Sequence, residues 1–117
     1  MEDCIFCKIA NKEINSEILF ECDEFFLIKD IKPVAKLHYL AIPKQHYARF
    51  EDAKDGLESL RKIFETIPTL KQKLGLDDGY RIIINQGKNA RQAVQHVHVH
   101  ILGGQDLGEK IVAETQN

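Results

Sequence analysis

The segment "HVHVHILGG", residues 96–104, constrains this chain more than any other stretch. Histidines 96, 98 and 100 alternate with the β-branched residues Val97, Val99 and Ile101. In an extended strand, a period of two sends the histidines to one face and the aliphatic residues to the other. One face is then chemical and the other is core. Neighbouring imidazoles stand about 6.5 to 7 Å apart along such a face, close enough to serve one small anion or adjoining sites.

The rest of the chain reads as a sheet around that strand. "EILFECDEFFLIKDI" holds two β-rich runs, residues 18–21 and 24–29, hinged at Cys22 and Asp23, which predicts a hairpin. "LHYLAIP", closed by Pro43, predicts a third strand. "YRIIIN" and "QHVHVHIL" supply the fourth and fifth, joined by the glycine-containing loop "QGKNARQA". From Asp52, an N-cap candidate, Leu57, Leu60, Ile63, Phe64, Ile67, Leu70 and Leu74 recur at helical spacing until Gly75. That pattern predicts a long helix over residues 53–74, kinked where Pro68 removes the amide that would bond to the Phe64 carbonyl. "CIFCKIANKEI" predicts a short helix or turn near the N-terminus. The expected fold is α+β, a five-stranded, mainly antiparallel sheet with one long helix and a short N-terminal helix.

At 117 residues the chain has the length of one domain, residues 1–117, with a single core. A net charge of −2 with interspersed signs gives no basic footprint, so a small ligand is expected rather than a nucleic-acid polymer or a membrane. "MEDCIFCKIA" contains acidic residues and no long apolar run, unlike a secretion signal or a membrane span. Three cysteines, an odd number, suit a reducing compartment, and the expected location is cytoplasmic. Their thiols are then free or metal-bound.

Alternating histidines serve two chemistries. Two imidazoles at i and i+2 can converge on a catalytic zinc if another element supplies a third ligand. Alternatively, neutral imidazole is itself a nucleophile toward phosphorus, and a second imidazole stabilises the phosphoryl oxygens or protonates the leaving group. The C-x-x-C pair Cys4 and Cys7 bears on this choice, because His46 and His96 can complete a Cys2His2 set with it. Such a set is closed and structural. It leaves His98 and His100 for phosphate chemistry, with His38 as a neighbour.

"CIFCKIANKEI", "KDIKP", "HYLAIPKQH", "NQG" and "HVHVHILGG" resemble, in order and spacing, the nucleotide-binding Hint branch of the histidine triad family. The resemblance covers residues 4 to 104. It implies a homodimer that hydrolyses purine nucleoside phosphoramidates or acyl-nucleotides through a nucleotidyl-histidine intermediate. It casts His98 as the nucleophile, His100 as the phosphate-binding and leaving-group histidine, and His38 as their support. It further implies that Asp30 accepts hydrogen bonds from ribose hydroxyls, that Phe6, Ile9, Ile28 and Ile31 line the base pocket, and that Asn85, Gln92 and Ala93 lie along the phosphate segment. One structural zinc per chain, on Cys4, Cys7, His46 and His96, would be the cofactor, with none required for the chemical step.

Two departures from the family pattern stand out. Many relatives carry a Gly-Gln-Ser type segment where this chain has Arg91-Gln92-Ala93, which removes a hydroxyl donor. The tail "QDLGEKIVAETQN" has no tryptophan. Turnover and leaving-group selectivity are the properties these changes touch. A binding module that makes little use of catalysis, and a zinc-dependent hydrolase, are the alternatives.

Overall fold

Alternation of side chains sorts the core of this protein into two layers, one on each side of a single sheet. In the computed structural model, which describes residues 3–55, 57–109 and 111, the strands are β1 (Phe20–Glu21), β2 (Phe25–Lys29), β3 (Leu37–Pro43), β4 (Tyr80–Ile83) and β5 (Val99–Gly103). Their order is β1-β2-β3-β5-β4, and every neighbouring pair is antiparallel. Phe25 and Leu27 of β2, Tyr39 and Ala41 of β3, and Val99 and Ile101 of β5 pack on one face against Leu60, Ile63 and Ile67 of helix α2 (Glu58–Leu70). The intervening residues Phe26, Ile28, Leu40 and Ile42 turn to the other face, where Phe6 and Ile9 of helix α1 (Ile5–Ala10) cover them. Burying each such side chain contributes about 1.5 to 3 kcal/mol. A one-residue slip in any strand would exchange the two layers.

The long helix begins later than residue 53. Asp52 does not cap it; it closes a 3-10 turn over Phe50–Asp52 instead. Asp55 takes the capping role, its Oδ1 accepting from the Leu57 amide (3.0 Å) and its Oδ2 from the Ser59 amide (3.2 Å) and hydroxyl (2.7 Å). Leu57 adopts a left-handed conformation, φ 68°, that the capping turn requires. At the other end the helix runs through Pro68 to Leu70. The Gly75 amide then bonds to the Gln72 carbonyl (3.2 Å) and the Leu76 amide to the Lys71 carbonyl (2.7 Å), a Schellman closure with Gly75 at φ 76°. The helix itself ends at Leu70, four residues short of the expected 74, and Gly75 closes the turns that follow it.

Other expectations need adjusting. The first strand is two residues long rather than four, because Ile18 leaves the ladder to pack on the α1 side. Only His100 of the three alternating histidines is within a strand: the ladder with β3 starts at Val99, and His96 and His98 lie in the segment that enters it. Leu57 and Phe64 share the helical period but not the core; each is more than two-fifths exposed. Gly103 and Gly104 end β5 where a β-carbon has no room, since it would stand 2.6 Å from Leu76 Cδ2 at the first and 2.7 Å from Leu37 Cγ at the second. This turn returns the chain from the sheet beside Leu37, next to His38.

Candidate functional site

The α1 face of the sheet is only partly covered by apolar residues, and the histidines occupy the remainder. His98, 5% exposed, sits edge-on to Phe6 with ring centroids 5.1 Å apart, and its ring lies 5.0 Å from that of His100. His38 reaches the same place from β3, two ladder positions from the Leu40–His100 pair. The three rings therefore lean closer together than the backbone spacing alone provides.

Backbone hydrogen bonds decide where each imidazole keeps its proton. A neutral imidazole has one N–H and one lone pair, so fixing one nitrogen fixes the other. His98 Nδ1 lies 2.8 Å from the His96 carbonyl oxygen, which can only accept; Nδ1 thus carries the hydrogen, and Nε2 presents a lone pair. On His38 the logic inverts. The Val34 amide donates to His38 Nδ1 (3.1 Å), so His38 Nε2 is the N–H and points at His100 Nδ1, 2.9 Å away. His100 accepts there and holds its own hydrogen on Nε2. The result is a lone pair at His98 beside a donor at His100, with His38 fixing the donor.

Burial favours the neutral form of His98 and His100. It pushes the His98 imidazole below its ordinary value of 6.5. His100 is driven down to about 4, first by burial and then by repulsion from His98 and His38. Asp30, just past the end of β2, stands over the group: its Oδ2 is 3.3 Å from His38 Nε2, and its Oδ1 accepts from the Lys32 amide (2.8 Å). Asp30, His38 and His100 offer ligand atoms within 4.8 Å of one another. A metal on His38 Nε2 would have to displace the proton that the Val34 bond places there, leaving an imidazolate. The hydrogen-bond pattern suits proton placement better than metal binding.

A second cluster lies at the start of the same segment. Cys4 caps the N-terminus of α1, accepting from the Cys7 amide, and Cys7 follows one turn later. Cys4 Sγ is 3.4 Å from His96 Nδ1, Cys7 Sγ is 3.2 Å from His46 Nδ1 and 3.6 Å from His96 Nδ1, and the two Nδ1 atoms are 3.1 Å apart. A tetrahedral zinc with ordinary bond lengths sets sulfur and nitrogen ligands about 3.6 Å apart and two nitrogens about 3.3 Å apart. His96 Nε2 donates to the Pro43 carbonyl (2.7 Å), which leaves the Nδ1 lone pair facing the other three ligand atoms. Burial and the adjacent Cys4 raise Cys7 to about 11, and burial lowers His96 to about 4. Two thiols, the His96 Nδ1 lone pair and the adjacent His46 Nδ1 are a donor set that fits a divalent cation.

The remaining candidates divide. Phe6, Ile9 and Ile28 form an apolar wall beside His98 and Asp30, whereas Ile31 projects outward, 92% exposed, rather than lining a cavity. Ala93 is exposed at the mouth of a cavity of about 530 Å³ shared with Cys4, Ile5 and His46. Asn85 is half-buried two residues beyond the end of β4, which stops at Ile83 rather than at Asn85, where the chain leads into the loop. Gln92 is buried and its side chain is fully engaged: Oε1 accepts from the Gly87 amide (2.8 Å), while Nε2 donates to the carbonyls of Ala48 (2.6 Å) and Val94 (3.1 Å). It ties the loop to the segment that bears His46. The groups that sequence reasoning missed are backbone atoms, namely the Val34 amide and the carbonyls of Pro43 and His96, and no side-chain pattern announces them.

Comparison with known proteins agrees with this architecture. Residues 11–107 match the family model described as the HIT domain. The chain is 42% identical over 104 residues to the protein HitA of Neisseria gonorrhoeae, spanning 88% of this chain and 97% of that relative. A solved structure of a HIT family hydrolase from Clostridium thermocellum superposes with a TM-score of 0.89 at 40% identity, covering 96% of this chain and 99% of the other. That of a histidine triad nucleotide-binding protein from Candida albicans gives 0.82 at 36% identity, covering 98% and 87%.

The buried imidazoles make stability depend on pH with a definite sign. An unfolded imidazole titrates near 6.5, whereas folded His100 titrates at about 4. Between those values the unfolded chain binds a proton that the folded chain refuses, so stability is lost as pH falls through this window. Urea denaturation at about pH 7.5 and about pH 5 is expected to show a lower midpoint in acid. Equal midpoints would contradict the burial of neutral rings.

Proposed function

This chain belongs to the HIT family, and from that membership we propose that it hydrolyses purine nucleoside phosphoramidates or acyl-nucleotides, or transfers their nucleotidyl group, through a nucleotidyl-His98 intermediate. The observation that carries the proposal is the His98 Nδ1–H bond to the His96 carbonyl, which leaves Nε2 unprotonated and free to attack. Neutral imidazole with a lowered pKa is the reactive form at neutral pH. Nε2 attacks phosphorus, the new P–N bond replaces the bond to the leaving group, and the charge gained by His98 is stabilised through Nδ1–H by the carbonyl. The leaving amine departs neutral with the proton that a zwitterionic phosphoramidate brings. His100 Nε2–H faces the phosphoryl oxygens and stabilises their developing charge. Water then attacks phosphorus, releases the nucleotide, yields its proton to solvent and restores neutral His98. Phe6, Ile9 and Ile28 offer an apolar wall for a purine, and Asp30 offers an acceptor for ribose hydroxyls. Exposed Ile31 is free to close over a bound base.

The Cys4, Cys7, His46 and His96 set would hold one structural zinc, which neutralises the two thiolates and clips α1 to the sheet. Zinc takes no part in the chemical step, because all four ligands come from the protein. A homodimer completes the reading. β4 is an open edge of the sheet, and Phe50, Leu57, Phe64 and Ile84 line an apolar groove of about 650 Å³ beside it. A second copy would cover both.

Three outcomes are expected. His98→Ala should abolish turnover of an adenosine phosphoramidate while nucleotide binding by calorimetry persists; unchanged turnover in the folded variant would refute the covalent route. Metal analysis of protein purified without chelator should find one zinc per chain, and chelation should lower the melting temperature and weaken nucleotide binding. Zinc that remains stoichiometric in the Cys4→Ser, Cys7→Ser double variant would remove that assignment. Light scattering should show a dimer that Phe64→Lys converts to a folded monomer; a monomeric wild type across the micromolar range would remove the dimer.

A further inference from the structure

The His38 Nε2–H has two acceptors. His100 Nδ1 is at 2.9 Å and Asp30 Oδ2 is at 3.3 Å, and one hydrogen cannot serve both at full strength. The sharing is built into the backbone. The Val34 amide fixes the hydrogen on Nε2, the Asp30 amide donates to the His38 carbonyl (2.9 Å), and the Lys32 amide occupies Asp30 Oδ1. Oδ2 is thus the carboxylate oxygen left for other donors, and His38 is its nearest. Asp30 keeps some exposure while His38 is buried, so a ligand reaches the carboxylate before the ring.

We propose that Asp30 is a positioning residue for catalysis as well as a sugar ligand: hydroxyls that donate to its Oδ2 weaken its hold on the His38 Nε2–H and release that hydrogen to His100. His100 Nδ1 is then fully engaged, its Nε2–H is held toward the phosphoryl group, and the donor reaches full strength when a nucleoside occupies the site. Sugar recognition thereby sets the rate of phosphoryl transfer and not affinity alone. The proposal rests on the nucleotidyl-transfer reading above and adds to it a link between the ribose and the reacting phosphorus.

The test is a comparison of adenosine 5′-phosphoramidate with its 2′,3′-dideoxy counterpart, using wild type and Asp30→Asn. The reading is the single-turnover rate constant for formation of the adduct on His98, measured at saturation so that binding differences drop out. Asparagine is isosteric. If its Oδ1 keeps the Lys32 amide, its Nδ2 donates and cannot accept from His38, so His100 receives the hydrogen whether or not hydroxyls are bound. In wild type the dideoxy substrate is expected to react about tenfold more slowly, the equivalent of one hydrogen bond. In Asp30→Asn the two substrates should react at equal rates, each bound more weakly. A wild-type rate constant unchanged by loss of the hydroxyls overturns the proposal, as does a tenfold difference that survives in Asp30→Asn. Absence of any adduct with either substrate on wild-type protein would instead overturn the covalent reading beneath it.

Discussion

A neutral imidazole has one hydrogen to place, and the chemistry open to this fold depends on where three of them go. The His98 Nδ1–H bond to the carbonyl of His96, 2.8 Å long, fixes the first. It is a bond between a side chain and the backbone two residues earlier, so the segment entering β5 must keep its extended path for the lone pair to face outward. Burial supports the same end. A ring that titrates below 6.5 is a nucleophile at neutral pH without needing a base to deprotonate it. Charging any of these rings would cost desolvation energy in addition to the lost donor and acceptor pattern.

The two histidine clusters share one short stretch of chain, which links structure to chemistry. His96 turns its Nδ1 to the cysteines, its Nε2 to the Pro43 carbonyl and its own carbonyl to His98. Phe6 lies between them, edge-on to both His96 and His98, on the helix whose first turn carries Cys4 and Cys7. Whatever draws the four ligand atoms together therefore also seats the apolar wall against His98. Gln92 performs a related task with neutral bonds alone, joining the loop at Gly87 to the Ala48 carbonyl beside the His46 segment.

Period-two sorting was fully legible in the sequence, because β2, β3 and β5 each divide their side chains between two covered faces and few other structures produce that pattern. The glycine turn at Gly75 and the Cys2His2 grouping were legible for a similar reason: each rests on residue types with narrow geometric uses, although the helix itself already ends at Leu70. The helix start was not. Asp52 is the cap the periodicity suggests, and the Asp55 bonds to Leu57 and Ser59 replace it only once the chain has turned. Leu57 and Phe64 keep the helical period, but the groove they line lies outside the core of this chain. Gln92 reads as a phosphate contact from its place in the loop, whereas its three side-chain bonds are spent on the backbone. The tautomers were beyond reach, since backbone atoms of Val34, His96 and Pro43 set them.

Long-range proton–nitrogen correlation NMR of the histidine rings near pH 7 tests the central claim most directly, because it distinguishes a protonated ring nitrogen from one with a lone pair. The account predicts His98 neutral with hydrogen on Nδ1, His100 neutral with hydrogen on Nε2, and His38 with hydrogen on Nε2 and its Nδ1 accepting from Val34. A His98 ring protonated on Nε2, or doubly protonated, would contradict it.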